Sequence, residues 1–364
     1  MKSLRRILLP HLLLLTALPI ASTAVGQTLV SPYTPGVTAE GITYFLPETH
    51  VRLVLTATRR CHTPGEYAQY AERYLGISDA TTEPYETWTL DNVEMIPYGV
   101  PDTSKVYTIA LASKTSAPLV SLTPDGILLA VNAEVHQPSP LPEASCTPLP
   151  TLDLNASDYL TADILRAATR AKRAELAAQE IYDIRENRSL LAKGLADFNP
   201  ADGEQLKTML QQLATAEQAL TTLFTGSERA ERHTFVFDFC PRAAVERQLL
   251  FRFSKFLGLV DADDLAGEPF YVSVANETRL PESSLDGKKK KKEKPDLRYC
   301  LPGRARITLS SASETISETI IAVAQMGRVE HLGDELFNKK FTTHVMLNPV
   351  TGNIEKISSE EEEE

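Results

Sequence analysis

The chain has 364 residues, with 37 basic against 48 acidic side chains and a formal charge of −11. So acidic a chain is a poor general nucleic-acid binder, because holding a phosphate backbone takes clustered positive charge. Its apolar content of 43% suits a globular protein of two or more domains, and no stretch after residue 26 is apolar enough to span a bilayer.

The N-terminus opens with Lys2, Arg5 and Arg6, followed by an apolar run from Ile7 to Ile20 broken by Pro10, His11, Thr16 and Pro19. Small residues follow at Ala21, Ser22, Thr23, Ala24 and Gly26. A basic start, a short apolar segment and a small-residue site make a secretory signal. A spanning helix wants about 20 uninterrupted apolar residues, more than this run supplies. Residues 1–26 are therefore expected to be removed after Gly26, leaving Gln27 as the new terminus, with a cut after Ala24 as the near alternative. No cysteine adjoins the cleavage region, so a lipid anchor is not expected. The mature chain, with a formal charge of −14, is expected in the periplasm or attached to the envelope of a bacterium.

The first block, residues 27–150, is strand-rich. Ile42–Leu46, Val51–Thr58, Tyr85–Ile96 and Lys105–Leu111 carry β-branched and aromatic residues in partial alternation. Leu119–Leu122 and Ile127–Val131 flank Thr123-Pro124-Asp125-Gly126, a hairpin turn by its chemistry. One helix is predicted from Pro64 to about Leu75, capped by Thr63 and stopped by Gly76. Residues 137–150 hold five prolines and read as a linker.

Residues 151–228 change to helical character. Ile164, Ala167, Ala171, Ala174, Ala178 and Ile181 form one stripe, and Leu206, Met209, Leu213, Ala216, Leu220 and Leu223 another. A small-residue stripe facing a leucine stripe lets two antiparallel helices approach closely. Such a hairpin is either a projecting arm or an element packed on its own domain. As an arm, it would present Ala171, Ala174, Leu213 and Leu220 as candidate partner-binding positions.

The third block, residues 229–357, is again strand-rich, and several words of the first block recur there in order. Leu75-Gly76 is echoed by Leu257-Gly258, Glu83-Pro84-Tyr85 by Glu268-Pro269-Phe270, and Leu122-Thr123-Pro124 by Leu347-Asn348-Pro349. This predicts an internal duplication, with segment 42–132 related to segment 233–357 and the helices inserted between. The expected class is thus α+β, with two related, mainly antiparallel β-rich halves separated by a long antiparallel helical hairpin. The lysine run Lys288–Lys294 reads as a solvated loop or as a contact for an anionic surface, and residues 358–364 as an acidic, solvated tail.

Chemistry is sparse. No metalloprotease, nucleophile-elbow or phosphate-loop motif occurs, and no cofactor is expected. Cys61, Cys146, Cys240 and Cys300 all lie in the mature part, where an oxidising compartment permits disulfides. Cys240 with Cys300 is the first choice, since both flank strands of one half. No pair has C-x-x-C spacing, so a zinc site is not expected. His50, His62, His136, His233, His331 and His344 are scattered along strands. Asp261, Asp263, Asp264 and Glu268 lack the glycine and spacing of an EF-hand calcium loop. Tyr85, Trp88 and Tyr107 could form a sugar-stacking face, although aromatic residues on strands more often fill cores.

Several segments together resemble a family of exported Bacteroidota proteins catalogued as a domain of unknown function. They are Gly41–Pro47, Thr63-Pro64-Gly65, Tyr70–Gly76, Pro101–Tyr107, Asp125–Leu129, Asp263–Pro269 and Pro302–Ala305. The resemblance covers nearly all of the mature chain and implies an envelope location without an activity. The expected role is a non-enzymatic periplasmic interaction or assembly factor with an envelope protein partner, the alternative a glycan-binding or glycan-processing protein.

Overall fold

Pro47 and Pro101 do not end strands, as proline would in a flat sheet; they bend two very long ones. β1 (Val37–Thr38) pairs with the start of β2 (Gly41–Thr63), and β2 pairs along its length with β3 (Tyr85–Ala110). The register slips between Phe45 and Pro47, where a residue without an N–H costs least at a bulge. The four strands expected here are therefore two. The computed structural model describes residues 37–38, 41–110, 119–151, 154–197, 203–281, 297–332 and 341–361, all within one unit, Pro35–Glu364.

Between β2 and β3 the chain makes a 3-10 turn at Ala68–Tyr70 and then α1 (Ala71–Leu75), ended by Gly76 at φ 69°. The stop signal was legible, whereas the 3-10 turn starts four residues after Pro64 and α1 seven residues after it. The Tyr67 N–H bonds to the Leu223 carbonyl at 2.6 Å rather than within a helix. β4 (Val120–Leu122) and β5 (Leu128–Val131) form the predicted hairpin, with Gly126 at φ 88° donating to the Thr123 carbonyl at 2.9 Å. The proline-rich stretch read as a linker contains β6 (Ser145–Pro148), a position on a sheet edge that tolerates proline.

The helices are α2 (Ala162–Arg166), α3 (Arg170–Lys193) and α4 (Gly203–Thr225). The predicted first helix is broken at Ala167, because the Thr169 side chain accepts from the Lys172 N–H and starts a new helix. Ile164 and Ala167 thus leave the α3 stripe. Ala174, Ala177, Ala178, Ile181 and Ile184 of α3 pack with Leu220 and Phe224 of α4 and with Tyr67 and Ala71 of the β2–β3 connection. Ala174 and Leu220 are 0% exposed, so neither can touch a partner; Ala171 and Leu213 are half-buried. The hairpin buries this seam as one cluster with the β2–β3 connection.

After α4 come β7 (Ser227–Phe239), β8 (Val245–Ser254), β9 (Gly258–Val260) and β10 (Glu268–Asn276). β11 (Leu297–Ser310), β12 (Thr315–Leu332), β13 (Phe341–Leu347) and β14 (Ile354–Glu361) complete the chain. One sheet runs β1-β2-β7-β6, with β3 on the other edge of β2, a second runs β12-β11-β10-β8-β9, and a third β14-β13-β5-β4. All these strand pairs are antiparallel. The fold is β-rich and antiparallel with a helical pair. The first two sheets bury Leu53, Leu55, Ala57, Phe251, Phe253, Phe270 and Leu309 between them. The third covers the bent ends of β2 and β11 through Tyr44, Leu46, Leu128, Leu297 and Val345.

Two further expectations change. β14 carries the segment read as an acidic tail into the sheet as far as Glu361, paired with Phe341. Leu75-Gly76 ends α1, whereas Leu257-Gly258 lies at the β8–β9 turn, so these two words fall on unlike elements. Gly26, Gln27 and Lys288–Lys294 lie outside the described residues.

Candidate functional site

Along β2 the core-facing row Leu53, Leu55 and Ala57 continues by strand alternation to Arg59 and Cys61. The same row on β7 changes from Phe237 and Phe235 to His233 and Glu231, and on β3 it reaches Trp88 and Glu86. Beyond the edge of the covering sheet, the inner face of the sandwich thus turns from apolar to polar. β6 adds Cys146 directly opposite His233.

The groups form one connected cluster. Arg59 Nη2 lies 2.7 Å from Glu86 Oε2, and Nη1 lies 3.4 Å from Glu231 Oε2. Trp88 Nε1 donates to Glu86 at 2.8 Å, and the Arg59 guanidinium sits 5.8 Å from the Trp88 ring centre. The Arg59 hydrogen bond holds the Glu86 carboxyl below its usual range, against the opposing effect of burial, and Glu86 in turn raises the Arg59 pKa. His233 packs on Trp88 with ring centres 4.8 Å apart. Its Nε2 is 3.4 Å from Glu231 Oε2 and 3.5 Å from Cys146 Sγ. Cys146 is exposed and His233 half-buried. A thiol, an imidazole and a carboxylate so arranged can hold a divalent cation or keep a thiol close to a base.

A second Glu-x-His pair lies at the bend of β2. Glu48 Oε2 is 3.3 Å from His50 Nε2, but Arg242 holds both oxygens of that carboxylate at 2.7 and 3.0 Å. Cys240 completes the group, its Sγ 3.8 Å from the Thr49 carbonyl. Burial pushes the Cys240 thiol up to about 11.

Cys240 and Cys300 do not form the expected disulfide, and all four cysteines are free thiols. The two residues are engaged separately: Cys300 donates to the Ala324 carbonyl at 3.3 Å, while Cys240 faces Thr49 and the Gln325 amide. The three aromatic residues considered for sugar stacking do not share a face. Tyr107 lies against Tyr44 in the third-sheet core, Trp88 sits under Gly258, and Tyr85 stacks on His62 with ring centres 4.7 Å apart. An open groove of about 570 Å³ beside α4 is lined by Thr221, Thr222, Thr225 and Arg185, but Glu217 already pairs with the Arg185 guanidinium.

The cluster on β6 and β7 was missed in the sequence because Cys146 and His233 are 87 residues apart, with the helices between them. Glu231-x-His233 on a strand was the available signal, since period-two spacing puts both side chains on one face. Among the described residues no helix is long and apolar enough to cross a membrane, which says nothing of strands. No curated protein and no solved structure matches the chain. A match does extend from just before β2 into β14, and by it the chain belongs to the family of the domain of unknown function DUF4831, matched over residues 40–355.

Proposed function

We propose that the chain is an exported, non-enzymatic interaction or assembly factor of the cell envelope, docking a protein partner through the β8–β10 end of the sandwich. The observation that carries this reading is apolar exposure: Phe256, Leu257 and Leu265 are 66%, 57% and 82% exposed. A single exposed leucine needs no explanation, but three large apolar side chains on one short segment suit a protein contact. The signal-like N-terminus supports export. Gly258, at φ 73° and packed on the Trp88 ring, anchors the turn that presents Phe256 and Leu257. The test is a cross-linked pull-down from envelope with the wild type and with Phe256→Ser/Leu257→Ser. A stoichiometric protein recovered by the first and lost by the second supports the reading. No such protein, together with saturable binding on a glycan array, replaces it with a glycan-binding role.

We also infer that the two bent hairpins, β2–β3 and β11–β12, descend from one unit. Tyr44-Phe45-Leu46-Pro47 on β2 corresponds to Tyr299-Cys300-Leu301-Pro302 on β11. In each hairpin one residue at the bend faces four on the partner strand, 102–105 in β3 and 324–327 in β12. The Phe45 N–H bonds the Gly126 carbonyl at 2.9 Å, and the Cys300 N–H bonds the Gly352 carbonyl at 2.8 Å. Both carbonyls belong to hairpin turns of the third sheet, after Pro124 and Pro349. The related segments are then 42–132 and 297–357, with β7–β10 outside the repeat. Family sequences that keep the Tyr-x-Leu-Pro word at one bend but never at the other would count against it.

A further inference from the structure

We propose that Cys146, Glu231 and His233 form a binding site for a borderline-soft divalent cation of the zinc type. The register builds it: Glu231 and His233 lie two apart on one face of β7, and Cys146 is the direct cross-strand partner of His233 on β6. Sulfur, imidazole nitrogen and carboxylate oxygen are the ligand types that Zn²⁺ takes together.

The spacings match. Zn–S of about 2.3 Å and Zn–N of about 2.0–2.1 Å at a tetrahedral angle place sulfur and nitrogen about 3.5 Å apart. The same geometry places nitrogen and oxygen ligands about 3.4 Å apart. The observed distances are 3.5 Å for Cys146 Sγ to His233 Nε2 and 3.4 Å for His233 Nε2 to Glu231 Oε2. At 3.4 Å the second contact is long for a hydrogen bond. All three ligand atoms lie within 4.8 Å of one another, so a side-chain rotation of Glu231 moving its oxygen by about 1 Å closes the remaining edge. Exposure of Cys146 leaves the fourth position open to solvent.

Charge and competition favour this group over its rival. Thiolate and carboxylate neutralise the dication, while Arg59 and Glu86 balance each other beside it. Arg59 also contacts Glu231, at 3.4 Å, but its short partner is Glu86 at 2.7 Å, so Glu231 can turn to a cation without stranding the guanidinium. At Glu48, His50 and Cys240, by contrast, Arg242 holds both carboxylate oxygens, and the thiol faces Thr49 and Gln325.

Co²⁺ titration of the reduced full chain tests the site. Saturable uptake of one ion per chain is expected, with a thiolate-to-cobalt charge-transfer band and quenching of Trp88, the sole tryptophan, beside His233. Zn²⁺ should displace the cobalt and abolish the band. Cys146→Ser alters an exposed side chain, so it should fold normally and lose the band; Cys240→Ser should keep it. Absence of one-to-one uptake, a band that survives Cys146→Ser, or a band lost in Cys240→Ser would each overturn the assignment.

Discussion

Gln325 hydrogen-bonds the backbone of Thr49 with its side-chain amide, as a neighbouring strand would. The Thr49 N–H donates to Gln325 Oε1 at 2.9 Å, and Gln325 Nε2 donates to the Thr49 carbonyl at 2.8 Å. β7 pairs with β2 only from Val51 onward, so Gln325 extends that ladder one step past the end of β7. The Thr49 hydroxyl then donates to the Val350 carbonyl and accepts from the Ala324 N–H, each at 2.9 Å. Thr49, 0% exposed, thereby ties all three sheets together.

Gln325→Ala would leave the Thr49 N–H and carbonyl without these partners in a buried setting. The expected cost is about 2–4 kcal/mol, because each unsatisfied buried group forfeits its desolvation. Urea unfolding monitored by circular dichroism would measure it, and a loss near zero would mean that water or a shifted strand replaces the amide.

The helical pair should behave as core. Leu220→Ala empties a fully buried site against Tyr67 and Phe224 and should cost about 2–5 kcal/mol. Ala174→Leu overpacks the seam and should cost about 1–3 kcal/mol. Deleting residues 160–224 with a short Gly/Ser join should uncover Tyr67 and Ala71 and abolish cooperative melting. A deletion variant that melts at the wild-type temperature would show that the hairpin is dispensable.

Local chemistry made much of this legible in the sequence: the Thr-Pro-Asp-Gly hairpin, the Gly76 helix stop and the two facing helical stripes all rest on neighbours in the chain. What failed depends on distant pairing. Pro47 and Pro101 read as strand ends because nothing local tells that a partner strand will bulge opposite them. β6 was hidden in a proline-rich stretch, since a four-residue edge strand exists only through β7. The Cys146–His233 contact went unread for the same reason. Of the words that suggested a duplication, Leu75-Gly76 and Leu257-Gly258 fall on unlike elements, because a two-residue word does not fix the structure around it.

Glu48 should tie stability to acid pH. Its hydrogen bonds from Arg242 hold the carboxyl down at about 2, with burial opposing and His50 and Cys240 adding to the effect. A carboxyl depressed on folding stabilises the native state above its unfolded pKa of about 4.5, and that contribution fades as pH falls toward 2. Wild type should therefore lose more stability between pH 5 and about 2 than Glu48→Gln does. Melting temperatures across that range give the comparison, and parallel curves for the two proteins would remove Glu48 from the acid response.

The four thiols should differ sharply in reactivity. Cys146 is exposed, Cys61 and Cys240 are half-buried and Cys300 is buried. Burial pushes both Cys240 and Cys300 up to about 11, so only about one in a thousand of either is thiolate at pH 8. A maleimide or Ellman's reagent should therefore label Cys146 first, and Cys146→Ser should abolish the fast phase. Cys61, beside Arg59, should follow, with Cys240 and Cys300 reacting only on unfolding. Denatured, unreduced protein should yield all four thiols. A yield of two, with a Cys240–Cys300 peptide in the digest, would mean instead that these strands rearrange to form the disulfide. A bound zinc-type cation should further protect Cys146 while leaving the slower thiols unchanged, because the metal occupies the sulfur that the reagent attacks. Protection of Cys240 in place of Cys146 would move the cation to the Glu48 bend.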